Sequence, residues 1–430
     1  MKKRMCLCMM LVALCGVLRG QEVNYDEEKV PPYTLPDPLR FADGTKVTKK
    51  NWPRRRQEIL DLYQREMYGQ MPPKIDITTE TVEEGVTLAG FGWRRQVRMW
   101  FNAAKTGPKI DWLVITPRYT EGPVPVIMFL NYIGNASLID DPNIFITDGW
   151  LHESKETVAN YKATEASRGF YAGQMGNSIY PMGMLLARGY AVVTACYGEI
   201  SPDPNGAKLQ DSLAYTNVFE LWGKRDNSRD DNTTALGAWA WGLMRCMDMV
   251  EKDSLLDAKR VLLTGYSRLG KAALIAGAFD ERFPVVVPVQ TGGGGVPLAK
   301  RFFGENVATM TTMFTHWYCR AWRKYAKHED QMPFDQHMFL ACIAPRALLV
   351  EGFDQPWFDA KGEFLAVKAA SPVWEKLGKK GLPKVDFPAD FDTSAIGPCL
   401  GYVRRSEGHG ISAYDWTWML DFADKVWREQ

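Results

Sequence analysis

The pattern of apolar and polar positions divides most of the chain into predicted helices and strands. Apolar residues at helical spacing between Trp52 and Tyr68 predict a helix near the N-terminus. Short β-type runs begin after Thr78 and predict three strands: Gln96 to Asn102, Ile110 to Thr116, and Pro125 to Asn131. A Gly-, Asp- and Asn-rich insertion follows at 134–176, and its pattern assigns no element.

Beyond the insertion, helices and strands alternate to the end of the chain. Helical periods cover Tyr180 to Arg188, Ala235 to Lys252, Ser267 to Phe279, His337 to Ile343, and Trp416 to Glu429. Buried-strand runs cover Gly189 to Cys196, Arg260 to Thr264, Pro284 to Gln290, and Ala347 to Glu351. This alternation predicts an α/β fold, a three-layer sandwich with a mainly parallel central sheet and helices on both faces. The early strands would add an antiparallel portion.

Two parts of the chain stand apart from this alternation. Residues 1–20 have the layout of a secretory signal peptide: a basic start at 2–4, an apolar run at 5–18, and cleavage expected after Gly20. A Pro-rich, charged arm covers about 21–75 and is expected to pack on the main body. We interpret 21–430 as one domain that includes this arm.

The predicted signal peptide favours export to the periplasm or the extracellular space. Its apolar run is shorter than the ~20 residues that span a bilayer, so no membrane span is expected. A lipid anchor is a weaker alternative. The segment Val12 to Cys15 partly fits a lipobox, but Leu14 stands where that signal needs a small residue.

Composition narrows the class of protein. The 52 Lys and Arg against 51 Asp and Glu give a net charge of +1, so nucleic acid is not an expected partner. The five histidines are scattered and no Cys-x-x-Cys pair occurs, so we expect no metal and no cofactor. Outside the signal peptide the cysteine count is odd, which excludes a dense disulfide framework. An aromatic share of 12% suits a protein that stacks on sugars, and a monomer is expected.

Candidate chemistry begins at a serine flanked by glycines. The predicted strand before Gly265 leads into Gly265-Tyr266-Ser267-Arg268-Leu269-Gly270-Lys271, and a helix of small residues follows. This is the nucleophile elbow of the α/β-hydrolase fold, in which a tight turn lifts the serine hydroxyl above the sheet edge. The second glycine stands one place later than in G-x-S-x-G. An ordinary turn whose serine caps a helix is the alternative.

A nucleophilic serine needs a base, and His409 fits the order that this fold uses. The α/β hydrolases place the histidine last, after the serine and the acid. His409 lies between two glycines in a predicted loop before the last helix. The other histidines are less suited; His316 and His337 lie in aromatic-rich stretches typical of a core or a pocket wall.

Several segments resemble the glucuronoyl esterases, carbohydrate esterase family 15. They run from Leu35-Pro36-Asp37-Pro38-Leu39 and Tyr68-Gly69-Gln70-Met71-Pro72 through Ser267-Arg268-Leu269-Gly270-Lys271 to Gly408-His409-Gly410. The resemblance implies that Arg268 helps to stabilise the oxyanion and that Lys271 contacts the uronic acid. It also implies that Trp357 lines the sugar site, where its ring would face the pyranose and its indole N–H would donate to a hydroxyl.

The catalytic acid departs from the family pattern. The family carries a carboxylate at one of two positions, and here these hold Gln290 and Gln355. Neither amide replaces the negative charge that a carboxylate offers to an imidazolium. We predict Asp354, one residue away, as the acid. Asp359 and Glu351 are weaker candidates, and a Ser–His dyad assisted by an amide is the rival interpretation. Gln290 is expected among the substrate-binding residues, with Lys271 and Trp357.

The resemblance implies an exported serine esterase that forms an acyl-enzyme on Ser267. Its substrate would be an ester of (4-O-methyl-)glucuronic acid, as in the links between glucuronoxylan and lignin. A carbohydrate deacetylase of the same fold is the first alternative, although acetyl offers Lys271 nothing to bind. A catalytically weakened glycan-binding protein is the second, and the two glutamines motivate it.

Overall fold

The computed structural model describes residues 23–154, 157–174, 179–204 and 213–429, so the predicted signal peptide lies outside the described residues. Nine strands form one sheet in the order β1-β2-β3-β7-β4-β8-β9-β10-β11. Their bounds are β1 Thr78–Thr87, β2 Gly92–Trp100, β3 Lys109–Pro117, β4 Val124–Asn131, β7 Ala191–Cys196, β8 Leu256–Tyr266, β9 Val285–Val289, β10 Ala347–Phe353 and β11 Leu400–Arg405. A separate hairpin consists of β5 (Val158–Ala159) and β6 (Lys162–Ala163), inside the insertion.

The strand pairing changes once across the sheet, from antiparallel to parallel. The strands β1, β2, β3 and β7 pair antiparallel, whereas β7, β4, β8, β9, β10 and β11 pair parallel. This arrangement confirms the predicted parallel sheet with an antiparallel portion. Since the carboxyl ends of parallel strands meet at one edge, the loops after β7 to β11 all reach the same side of the molecule.

Helices cover both faces of the sheet. The longer ones are α1 Trp52–Tyr63, α5 Ala235–Val250, α6 Arg268–Phe279, α9 Ala360–Lys376 and α10 Ala413–Arg428, and the shorter ones are α2 Phe170–Gln174, α3 Met182–Ala187, α4 Tyr197–Ile200, α7 Val307–Met313 and α8 Gln336–Ala341. Successive residues of β4 enter different cores: Met128 packs in the core that includes α5 and α6, and Phe129 in the core that includes α3 and α10. The α/β-hydrolase prediction of three layers is confirmed.

Two strands and a long helix carry no usable signal in the sequence pattern. β1 is polar over most of its length, and its residues are mostly half-buried or exposed at the sheet edge. β11 is short and ends in Arg404 and Arg405. α9 contains Pro372, which argues against a helix when the sequence is considered alone.

The N-terminal arm is fastened to the main body by long-range hydrogen bonds. The Tyr68 hydroxyl donates to the Gly294 carbonyl at 3.1 Å, and the Tyr63 hydroxyl donates to the Asp335 carbonyl at 2.8 Å. The arm therefore reaches the loop that follows β9, at the edge where the parallel strands end.

No helix in the described part of the chain is long and apolar enough to cross a membrane. The five cysteines of this part are free thiols: Cys196, Cys246, Cys319, Cys342 and Cys399.

Candidate active site

Ser267 stands at the turn between β8 and α6. Its backbone has φ +56° and ψ −130°, a strained conformation for a residue with a side chain, and its N–H donates to the Val289 carbonyl at 2.9 Å. A Cβ added at Gly270 would lie 2.7 Å from the Gly265 carbonyl oxygen. The two glycines thus face each other across the turn, which explains why the second can stand one place later than usual.

Arg268 is held by a buried carboxylate that the sequence analysis did not identify. Its guanidinium forms an ion pair with Asp203, lies 3.1 Å from Nε2 of His152, and sits 4.8 Å from the ring centroid of Trp317. The Nε atom of Arg268 is buried and has no hydrogen-bond partner in the described structure. A donor fixed in this way, with an N–H to spare, is suited to a developing oxyanion.

Asp203 connects several groups at this side of the site. Besides Arg268, it accepts a hydrogen bond from Nε1 of Trp317 at 2.7 Å and lies 2.7 Å from Nε2 of His316. Burial favours the neutral acid, but the charge of Arg268 and the bonds to the two histidines hold the pKa of Asp203 well below its usual range. The carboxylate therefore stays ionised. His152 comes from the insertion, which in this way contributes to the site.

Lys271 places an ammonium group beside the same tryptophan as Arg268. The residue is 3% exposed, and its Nζ lies 5.2 Å from the centroid of Trp317. Burial lowers the pKa of Lys271 to about 8; the nearby charge of Glu305 acts against this and that of Arg268 adds to it. Among the described residues, no carboxylate oxygen lies within 4.0 Å of the Lys271 Nζ, the distance that defines an ion pair. This cation is thus left available to a ligand.

Glu305 is a second site residue that the sequence analysis missed, since it belongs to no recognisable motif. It accepts hydrogen bonds from Nε1 of Trp357 at 2.6 Å and from the Gly293 N–H at 2.7 Å. A Cβ at Gly293 would lie 2.5 Å from that of Glu305, so the glycine run after β9 makes room for this side chain. Trp357 is half-buried, and its indole N–H is used by Glu305 and not left for a sugar hydroxyl.

His409 lies beside the elbow on an exposed loop. Its ring centroid is 4.9 Å from that of Phe358 and 5.9 Å from that of Tyr266, the residue before the serine. The residue is exposed as a whole, but desolvation of its ring beside these aromatic neighbours lowers the pKa of His409 to about 4, and the charges of Arg268, Lys271 and Arg405 act in the same direction. No hydrogen bond joins this imidazole to a carboxylate within the described ranges.

Arg405 fixes the loop that carries His409. Its guanidinium donates to three carbonyls around the histidine, those of Glu407, Gly408 and Gly410. It is held in turn by Asp415 at 2.8–2.9 Å. The loop therefore wraps around one buried cation.

Gln290 contributes to the same loop. Its Oε1 accepts a hydrogen bond from the Gly410 N–H at 2.9 Å, and its Nε2 is buried without a partner. The amide at the family's acid position therefore holds the backbone of the loop, not the imidazole.

The structure does not bring Asp354 and His409 together. The Asp354 carboxylate forms an ion pair with Arg404 and is 47% exposed. The other two candidate acids are not available to the imidazole either. Asp359 forms an ion pair with Arg301 at 2.9 Å. Burial and the charge of Asp415 raise the pKa of Glu351 well above its usual range, which favours the neutral acid. The expected acid–imidazole contact is absent from the described structure because Arg404 draws the predicted acid away.

The described ranges contain no group of three or more His, Cys, Asp or Glu residues that could hold a metal ion. The chemistry available here is that of a serine, an imidazole and two fixed cations.

The chain is similar to several known esterases. A family profile described as "Glucuronyl esterase, fungi" matches residues 177–378. A carbohydrate esterase from an unknown prokaryotic organism is 36% identical over 408 residues, which cover 93% of this chain and 91% of that protein. Two solved structures superpose with a TM-score of 0.85 and cover 94% of this chain and 100% of theirs: a promiscuous CE15 esterase from the marine bacterial metagenome at 35% identity, and a glucuronoyl esterase from Solibacter usitatus at 36%.

Proposed function

The chain belongs to the glucuronoyl esterases of carbohydrate esterase family 15 and is a carboxylic ester hydrolase, and from this premise we propose that it hydrolyses esters of (4-O-methyl-)glucuronic acid through an acyl-enzyme on Ser267. The natural substrate would be the ester between the uronic acid of glucuronoxylan and an alcohol of lignin. Residues 1–20 would direct export, so that the enzyme meets this polymer outside the cytoplasm.

The observation that carries the proposal is the ammonium group of Lys271. It is buried, it lies one turn after the elbow serine, and no carboxylate forms an ion pair with it in the described structure. A buried cation without a partner is costly unless a ligand completes its interactions. The hydroxyl and carboxyl oxygens of a uronate supply such partners, whereas the methyl group of an acetyl ester does not.

The proposed reaction uses three groups. His409 takes the proton from the Ser267 hydroxyl, and the oxygen attacks the ester carbonyl carbon. Arg268 and backbone N–H groups at the start of α6 stabilise the negative oxygen of the tetrahedral intermediate. The alcohol then leaves with the proton from His409, and a water molecule repeats the sequence in reverse to release the uronic acid.

For the histidine we propose a dyad supported by its loop. The Arg405 guanidinium and the Gln290 amide hold the backbone on both sides of His409, which orients the ring without a carboxylate. A dyad of this kind lacks the anion that stabilises an imidazolium, so a lower kcat than in a full triad is expected.

The test compares two ester classes. The purified protein should hydrolyse the methyl ester of 4-O-methylglucuronic acid, and Ser267→Ala should abolish this activity. Lys271→Met removes the charge with little change of length; it should reduce kcat/KM for the uronate ester far more than for a small neutral acetate ester. A matched control is Lys324→Met, since that lysine is paired with Glu66 on the surface.

The two alternatives make different predictions. Release of acetate from acetylated xylan with no action on the methyl uronate would support a deacetylase. A purified chain that binds uronate-bearing saccharides but hydrolyses neither ester would support a glycan-binding protein. Either result would overturn the proposal.

A further inference from the structure

Three aromatic side chains meet at the surface beside the end of β11. The ring centroids of Phe391 and Tyr414 lie 5.1 Å apart, those of Phe391 and Trp418 5.9 Å, and those of Tyr414 and Trp418 6.3 Å. We call these three residues the aromatic platform. Tyr414 and Trp418 are one turn apart on α10, and Phe391 reaches them from the loop before β11.

Two of the three platform rings, those of Tyr414 and Phe391, are exposed to solvent, and Trp418 is half-buried. Tyr414 is 54% exposed and Phe391 is 36% exposed. The most exposed aromatic residues elsewhere, Tyr119 at 82% and Phe91 at 74%, contact no other aromatic ring in the described structure. Single exposed rings need no explanation, but adjoining ones form a patch that is typical of an interaction site.

The backbone of Phe391 is held in an unfavourable conformation. Its φ is +61°, in the left-handed region that bulky residues rarely adopt, and its N–H donates to the Arg404 carbonyl at 2.9 Å. Strain of this kind persists where the surrounding structure enforces it, and it is common at ligand sites. Here it keeps an apolar ring at the surface, where the ring has little to gain from the core.

The platform shares an edge of the sheet with the catalytic serine. Tyr414 follows His409 by five residues, and Arg404 is the last but one residue of β11, next to Arg405, which holds the His409 loop. The strand β11 is three places from β8, which corresponds to about 14 Å across the sheet. A polymer bound at the elbow could therefore extend over the platform.

We propose that the aromatic platform binds the pyranose backbone of the polysaccharide whose uronate ester is cleaved at Ser267, an inference that rests on the proposed function. Aromatic faces pack against the C–H faces of sugars. The Tyr414 hydroxyl has no intramolecular hydrogen bond in the described structure and is free to bond a sugar hydroxyl. Arg404 forms ion pairs with Asp354 and Asp390, and these charged groups lie next to the rings. Such polar surroundings favour a hydroxyl-rich chain over lignin.

The test separates the polymer from the small ester. A variant with Phe391→Ala and Tyr414→Ala is compared with the unaltered protein by affinity electrophoresis in glucuronoxylan, with the serine replaced by alanine in both. We expect about five- to ten-fold weaker binding, the effect of losing one or two ring contacts. With the serine intact, kcat/KM should fall on glucuronoxylan but not on the methyl ester. The matched control is Phe91→Ala with Tyr119→Ala, two exposed rings elsewhere.

Each result decides a separate question. If the unaltered protein does not hydrolyse the methyl ester, the proposed function fails, whatever the binding assay shows. If the methyl ester is hydrolysed but the platform variant binds glucuronoxylan as the control does, the inference is overturned. It is also overturned if the platform variant only converts a dimer into a monomer, or if it loses binding to lignin fragments and not to the polysaccharide.

Discussion

His409 is surrounded by cations, whereas the histidine of a Ser–His–Asp triad is held by an anion. Desolvation of the ring by its aromatic neighbours and the charges of Arg268, Lys271 and Arg405 lower the pKa of this imidazole to about 4. A neutral imidazole is ready to accept a proton. What it lacks is a partner for the imidazolium that forms next, so the difference from a triad should appear in kcat.

Replacement of Asp354 distinguishes the dyad from a triad. Its carboxylate is bound to Arg404, so Asp354→Asn should change kcat for the methyl uronate ester by less than about ten-fold, whereas loss of a triad carboxylate costs about 10⁴-fold. Steady-state kinetics on that ester measure the difference. His409→Ala is the reference for full loss of the base. A drop in Asp354→Asn comparable to that of His409→Ala would restore the triad.

The pH dependence of kcat/KM should have two limbs. Below a pH of about 4 His409 becomes protonated and can no longer act as a base, so the rate falls as the pH falls. Above a pH of about 8 Lys271 loses the proton that makes it a cation, so the rate falls as the pH rises. Lys271→Arg keeps the charge at high pH and should move the upper limb upward. An upper limb unchanged in that variant would remove Lys271 from substrate binding.

Among the site residues, the sequence predicts those that lie close together in one motif. Ser267, Arg268 and Lys271 lie within one turn, so a single pattern identifies all three. Asp203 and Glu305 belong to no local motif. Their partners are far away in sequence, so only the folded chain brings them to the site. The seven-residue distance of Asp203 from the end of β7, at the edge where parallel strands end, was a usable signal; Glu305 had none.

Among the elements, the loop between β11 and α10 depends most on one contact. The Arg405 side chain is enclosed by the loop and is 2% exposed. It donates to three carbonyls of the loop and to the Asp415 carboxylate. Residues 406–409 of the loop are exposed, whereas Ile411 is buried. The shape of the loop, and with it the direction of the His409 ring, is therefore set by a positioning residue that does not touch the substrate.

Arg405→Lys should lower kcat about 10- to 100-fold and leave KM nearly unchanged, because a single ammonium cannot reach the carbonyls and the carboxylate together. Kinetics on the methyl uronate ester and the melting temperature are measured side by side. Arg404→Lys is the matched control, since the neighbouring guanidinium points to Asp354 and Asp390 and not into the loop. A parallel loss of kcat and stability in Arg405→Lys, with no selective effect on kcat, would mean that the contact is merely structural.

The prediction of helices and strands is correct where buried apolar residues recur with a clear helical or strand period. α5 is buried along its whole length, and Trp239 and Trp241 lie in the core as expected. The elements that escape prediction owe their structure to neighbours: β1 is a polar edge strand paired with β2, and α9 keeps a proline inside a helix that packs on β10 and β11. Tertiary contacts override local preference at both places.

For the whole molecule, the arm and the sheet form one interdependent unit in our interpretation. We expect a single cooperative unfolding transition for residues 21–430, and we expect removal of 21–75 to prevent stable folding, because α1 and the following turn bury Ile59, Leu60, Tyr63 and Tyr68 against the core. Differential scanning calorimetry of the two chains measures this. Two resolved transitions in the full chain, or a cooperative transition in the shortened one, would show that the arm is a separate unit.

The arm has one more consequence. Pro36 accepts a hydrogen bond from Nε2 of His337, 301 positions later, and Tyr68 binds a carbonyl 226 positions later. In a chain that is made from its N-terminus, these partners appear only when most of the length has been synthesised. Contacts between such distant residues form late. The arm therefore stays undocked for most of synthesis, and the chain cannot complete its fold until these distant partners have been made.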